Sequence, residues 1–208
     1  MLGRRYAVVG VFSGRPVSFL QRFFPPDVLL AGLYGLETVV DGVRHDHPDG
    51  DRWRHVVAGV VDAAERDGPA GMRVESKGLS LTLHYRGSPE LAPAVERWAR
   101  DQAATSGLEV RGAKMSVELH PPIEVDKGTT LLRLASGLDA VAFLGDDVGD
   151  LPAFAALEQL AGQGVATLGV VARSAETDPA LLARADLVVD GPAGVLDLLQ
   201  HLIDTPPS

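Results

Sequence analysis

Three carboxylates crowd the stretch VAFLGDDVGD, residues 141–150, where an apolar run meets Asp146, Asp147 and Asp150. Like charges at that spacing repel and cost stability unless something positive sits among them. A hard divalent cation such as Mg²⁺, which takes oxygen ligands, is the natural relief. Two further polar groups stand at comparable places. Ser13-Gly14-Arg15 follows the apolar run YAVVGVF, where a serine hydroxyl and the free amides of a turn and helix start can hold a phosphate. Asp126-Lys127-Gly128 opens a helix, and Lys127 offers a point charge for phosphate. Each group alone is common, since acidic turns usually cap helices. Their succession at strand and helix ends points to function, because ligands of open α/β sheets bind at the carboxyl edge.

The elements that must position these groups fall into three parts. The first opens with a strand over Tyr6–Phe12, a turn SGRP, a helix near Pro16–Phe23 and a short strand near Leu29–Ala31; both strands are apolar throughout, as in a parallel sheet covered on two faces. The middle differs. It reads as a hairpin about Asp41-Gly42, a helix over Asp51–Asp67, strands at Arg73–Ser76 and Leu79–Tyr85, a helix over Pro89–Thr105, and strands at Leu108–Val110 and Lys114–Leu119. The alternation in LSLTLHY marks a sheet with one wet face. Strand–helix alternation then returns, with strands at Ala140–Leu144, Ala166–Val171 and Leu187–Val189 and helices from Lys127, Leu151, Pro179 and Gly194. The expectation is an α/β core, residues 1–35 and 122–208, interrupted by an α+β insert, residues 36–121, with helices on one face of its sheet.

Composition narrows the function. The 208 residues are 46% hydrophobic, lack cysteine and carry a net charge of −9. That excludes disulfides, thiolate metal sites and a thiol nucleophile, and disfavours nucleic-acid partners. No apolar run reaches spanning length, so a soluble, cytoplasmic protein without a membrane partner is expected. Among other polar residues, His45 and His47 in RHDHPDGD read as a solvated loop ahead of a helix rather than a metal site. His84 and Arg86 fit either the ligand side or an exposed face of the insert. His120 reads as hinge surface, and Trp53 and Trp98 as core. Asp186 and Asp190 read as turn residues, and Glu37 as a residue that could face the cleft.

The segments VVGVFSGRP, VELHPPIEVDKG and FLGDDVGDLPAFAAL, with LLAGLYGLE and ADLVVDGPAGVLDLLQHL, resemble the trehalose-6-phosphate phosphatases of the haloacid-dehalogenase superfamily over nearly the whole chain. The resemblance implies a Rossmann-like core with a mobile cap, Mg²⁺, and hydrolysis of trehalose 6-phosphate to trehalose and phosphate. Ser13 with Gly14 and Arg15 then matches the phosphate loop, and Lys127 the residue steadying phosphate and nucleophile. Asp146 matches the direct metal ligand, and Asp147 and Asp150 the acids that hold the metal and its waters. Lys114 and Glu118 match positions that grip the sugar, and their spacing puts both on one face of a strand. Tyr34 stands where relatives often carry histidine.

One departure is large. Relatives begin with a strand ending in Asp-x-Asp-Gly-Thr, which supplies the nucleophile and the general acid. The twelve residues before Ser13 contain neither Asp nor Glu. The expected core therefore lacks its first strand, and residues 1–208 alone should show negligible hydrolysis. A start placed inside a longer enzyme, or a fragment, is one explanation; a true shortened relative that binds a sugar phosphate or a partner without hydrolysis is another. A phosphatase acting on a different sugar phosphate is a third reading, and the oligomeric state is left open.

Overall fold

A computed structural model describes residues 2–113 and 115–205. The first sheet has the order β1-β2-β3-β4, built from β1 (Gly10–Phe12), β2 (Leu29–Gly32), β3 (Glu37–Val40) and β4 (Val43–Asp46). β1 and β2 are parallel, joined over the short helix α1 (Val17–Leu20), whereas β3 and β4 add antiparallel. The hairpin turn has Asp41 at φ 51° and Gly42 at φ 74°, the left-handed pair that a two-residue hairpin requires. Because β3 pairs with β2, the hairpin continues the first sheet instead of opening the insert as the sequence suggested.

A long helix, α2 (Gly50–Asp67), leads into an antiparallel sheet of order β5-β6-β8-β7. Its strands are β5 (Arg73–Ser76), β6 (Leu81–His84), β7 (Glu109–Ala113) and β8 (Ser116–His120), with α3 (Ala92–Ser106) between β6 and β7. The alternation works as read. Leu81, Leu83, Val117 and Leu119 bury one face against Val57 and Val60 of α2 and Val95 and Ala99 of α3. The other face carries the polar residues.

The last part comprises α4 (Lys127–Leu134), β9 (Ala140–Gly145), α5 (Leu151–Gly162), β10 (Ala166–Arg173), α6 (Pro179–Leu182), β11 (Leu187–Asp190) and α7 (Gly191–Asp204). Its three strands are parallel, in the order β11-β10-β9.

Among the described residues, β1 and β9 do not pair, and the parallel strands form two sheets instead of one. A gap of about 600 Å³ separates them, lined by Val8, Gly10 and Phe12 on one side and Ala140, Ala142 and Leu144 on the other. The sequence expected a strand from Tyr6, yet β1 begins only at Gly10, and Val8 is exposed. Pairing on one side alone holds fewer residues extended. The apolar α7 lines the same gap and buries none of its residues completely. No helix among the described residues is long and apolar enough to cross a membrane.

Candidate functional site

Three hydrogen bonds fix the turn after β1. The Ser13 amide donates to the Ala31 carbonyl (2.9 Å), the Ser13 carbonyl accepts from the Tyr34 amide (3.0 Å), and Ser13 Oγ accepts from the Arg15 amide (3.0 Å). Gly14 lies under the Tyr34 ring, where a Cβ would come within 2.8 Å of the phenol oxygen. The amide of Val17, one of those expected to be free for phosphate, is occupied: it donates to Glu37 Oε2 at 2.9 Å. Glu37 is buried and is itself bound by Arg44 Nη2 at 2.8 Å. It therefore faces the helix start, not the cleft. Arg15 leaves the turn and pairs with Glu75 of β5.

Asp126 caps α4, accepting from the Thr129 amide at 2.7 Å while Thr129 Oγ1 accepts from the Asp126 amide at 3.0 Å, a reciprocal box. This fixes Lys127, whose ammonium donates to Asp150 Oδ1. Asp150 is 3% exposed, and its other oxygen accepts from the amides of Asp146 (3.0 Å) and Asp147 (3.1 Å). A Cβ on Gly145 would approach the Asp150 side chain to 2.7 Å, so glycine admits it. Asp147 Oδ1 accepts from the Val148 amide. Much of the carboxylate crowding is thus answered from within, by Lys127 and turn amides. Asp146 is the exception. Its side chain reaches solvent, yet desolvation by the packed turn, then the like charges of Asp150 and Asp147, hold its carboxyl above the usual range, with Lys127 pulling the other way. Among the described residues no three His, Asp or Glu side chains are arranged as a ready metal cage.

The two halves are linked through Tyr34, whose amide meets Ser13 and whose carbonyl accepts from Thr130 Oγ1 of α4 at 3.1 Å. Among the described residues no direct hydrogen bond or ion pair joins Ser13 or Arg15 to Lys127 or Asp146.

The polar face of the antiparallel sheet completes the region. Strand register sets Glu75, Thr82, Glu118 and Arg111 opposite one another in a single row. Glu118 is 2% exposed; its Oε1 accepts from Ser80 Oγ (2.7 Å) and Lys77 Nζ (3.2 Å), and its Oε2 from Tyr34 Oη (3.4 Å). Arg111 lies over the Tyr34 ring, 4.9 Å from its centroid. Glu75 shares a 2.7 Å hydrogen bond with His84. Burial alone would raise the Glu75 carboxyl, but His84, Arg15 and Lys77 outweigh it and hold it low. Lys114 lies outside the described residues. Sequence reading missed Glu75, Lys77, Ser80, Thr82 and Arg111. The period-two pattern of Arg73, Glu75 and Lys77, which sets the three on one face of the strand, is the signal the sequence offers.

His45 and Asp46 sit on strand β4, not in a loop, and Asp46 is held by Arg44 (2.7 Å) and Arg54 (2.7 Å). His120 is half-buried, and desolvation followed by the Arg111 charge lowers its pKa.

The trehalose-phosphatase family model matches residues 1–181. The chain belongs to that family. It is 32% identical over 214 aligned residues to the trehalose-phosphate phosphatase of Mycobacterium avium, an alignment covering 94% of this chain and 52% of the relative. For the Mycobacterium tuberculosis H37Rv trehalose-phosphate phosphatase the values are 30% identity over 213 residues, 93% and 51%. The chain thus spans about half the length of the curated trehalose-phosphate phosphatases it matches. Its fold is the mixed α/β fold of the trehalose phosphatases. A crystal structure of a trehalose-6-phosphate phosphatase related protein superposes with a TM-score of 0.77 at 22% identity, covering 93% of this chain and 79% of that one. The C-terminal domain of the Candida albicans trehalose-6-phosphate phosphatase gives 0.72 at 22% identity, covering 95% and 78%.

Proposed function

We propose that this protein recognises trehalose 6-phosphate, with the Ser13–Arg15 turn and Lys127 taking the phosphate and the polar sheet face, as a cap, taking the sugar. The observation that carries this reading is the bridging of that face to the phosphate turn, through Arg15–Glu75 and Tyr34–Glu118. A turn that could take an anion, joined to a row of two carboxylates, a hydroxyl and a guanidinium, suits a phosphorylated sugar. In this reading the core comprises residues 1–35 and 122–208 together with the β3–β4 hairpin, and the cap is the antiparallel module that follows. Lys114 belongs with Glu118 in the sugar site. The compartment proposed is the cytoplasm.

The donor set suits Mg²⁺. Asp146 and Asp147 offer hard oxygens, and a cation between them would offset both the desolvation and the like charges that raise the Asp146 carboxyl. Asp146 and Asp147 would hold the ion, with Asp150 behind them orienting the turn; its chemistry would be charge stabilisation at phosphate oxygens. Lys127 positions Asp150, and the Ser13 hydroxyl and the Gly14 amide orient the phosphate.

The hydrolysis that the resemblance implies uses a carboxylate from a strand ahead of Ser13 to attack phosphorus, and residues 1–12 hold neither Asp nor Glu. That observation favours a second reading for these residues taken alone, a sugar-phosphate-binding protein without turnover. The test measures binding and phosphate release by residues 1–208 with Mg²⁺, across trehalose 6-phosphate and other sugar phosphates. Binding of trehalose 6-phosphate with background release is expected, since loss of a nucleophile acting within a catalytic unit costs about 10⁶ in rate. Turnover that Asp146→Asn abolishes would refute the non-catalytic reading, and preference for another sugar phosphate would refute the substrate.

A further inference from the structure

The row Glu75–Thr82–Glu118–Arg111 contains one group that no protein atom satisfies. Thr82 is 4% exposed, and its Oγ1 is the one buried side-chain polar atom without a hydrogen-bond partner among the described residues. Its neighbours in the row are both engaged. Glu75 is held by Arg15 and His84, and Glu118 by Ser80, Lys77 and Tyr34. Thr82 therefore sits directly across from two carboxylates, on the face that bridges to the phosphate turn, with a donor and an acceptor unused.

A buried hydroxyl without a partner destabilises a fold, whereas valine, of the same shape, carries no such cost. The chemistry that would satisfy it is specific. A cation would be drawn to the carboxylates and not to a hydroxyl, and the charge of those carboxylates is already balanced by Arg15, Lys77 and Arg111, so Thr82 itself calls for a neutral partner. A neutral polyol suits all three positions, since its hydroxyls donate to the carboxylate lone pairs still free and exchange a bond with Thr82. The proposal needs the two bridging contacts to give way: the Arg15 side chain, though paired with Glu75, is 50% exposed, and the Tyr34–Glu118 bond is long at 3.4 Å.

We propose that Thr82 is a specificity-determining residue whose hydroxyl hydrogen-bonds a ring hydroxyl of the sugar; this rests on the sugar-phosphate reading above. The test compares Thr82→Val and Thr82→Ser with the unaltered chain, by titration with trehalose 6-phosphate, a panel of other sugar phosphates, and inorganic phosphate. Thr82→Val should weaken trehalose 6-phosphate about tenfold, the worth of one hydrogen bond. It should leave inorganic phosphate affinity unchanged and keep or raise the melting temperature, while Thr82→Ser retains sugar affinity. Unchanged sugar affinity in Thr82→Val overturns the proposal. So does equal weakening toward inorganic phosphate, or a lowered melting temperature, which would mean that Thr82 is partnered within the fold or by water. If the unaltered chain binds a different sugar phosphate, the trehalose reading fails and the same comparison on that sugar decides Thr82. Binding of no sugar phosphate at all overturns both.

Discussion

At the residue scale Tyr34 ties the region together. Its backbone bridges Ser13 and Thr130, its ring covers Gly14 and lies under Arg111, and its phenol reaches Glu118. Desolvation, then the Glu118 charge, push its pKa from 10.0 to about 12. The folded state thus holds this proton more tightly than the unfolded chain. The stability it contributes is complete below the unfolded value and is lost as pH rises through the folded one. An alkaline titration followed by tyrosinate absorbance should show one component near pH 12 that Tyr34→Phe removes. The sequence sets a phenol at position 34 where relatives often carry histidine, but its partner lies 84 residues away, which no local pattern reveals. Glu118 gives a second expectation. Glu118→Ala would strand the Lys77 ammonium, whose side chain is only 11% exposed, and should cost about 3 kcal/mol in denaturant melts. Glu118→Gln, which still accepts from Ser80 and Lys77, should cost less.

At the element scale the two facing edges of β1 and β9 set the behaviour of the parallel strands. Val9 and Ser13 direct backbone groups to β2, since the Leu29 amide donates to Val9 O and the Ser13 amide to Ala31 O. By alternation the amides of Gly10 and Phe12 face the gap. The Ala166 amide donates to Asp139 O, which by the same rule turns Ala140, Ala142 and Leu144 toward it. Amide exchange measured by NMR should therefore be fast at Gly10, Phe12, Ala142 and Leu144, and slow at Val11, Val141 and Phe143. Equal protection along β9 would mean that its free edge is covered. The link from β5 to the Ser13–Arg15 turn should depend on pH. With its pKa held low, the Glu75 carboxylate stabilises the fold above its unfolded value, and that contribution is lost as pH falls through the folded one. Acidification should release Arg15 and loosen the contact between sheet and turn, seen as a growing distance between spin labels on α3 and α5. The same change in Glu75→Gln at neutral pH would identify the responsible group.

At the scale of the whole molecule three apolar clusters share the work, and Phe12 of β1 packs against the second of them, its ring 5.7 Å from that of Phe143. One joins the antiparallel sheet to α2 and α3, a second packs α4 and α5 against β9 and β10, and a third holds α1 against β2 and β3. The switch from continuous apolar strands to alternation made the first cluster legible in the sequence, because a one-sided sheet writes its buried face as a period of two. The split between the other two was legible only indirectly. An apolar helix such as α7 reads the same whether or not a strand lies beneath it, and the hairpin's allegiance to β2 depends on pairing rather than composition. The consequence is a divided stability. The antiparallel sheet buries its apolar face under two long helices, with Leu33 and Leu36 in the same cluster, whereas the β9–β11 sheet meets the gap on one edge and leaves α7 without a fully buried residue. Unfolding in urea should therefore depart from a two-state transition. Hydrogen exchange read at increasing urea should lose protection first in α7 and β9, then in β10 and β11, and last in β6 and β8. A single transition in which β8 and β9 lose protection together would show that the bridges through Tyr34 and Arg15 couple the clusters into one cooperative unit despite the gap.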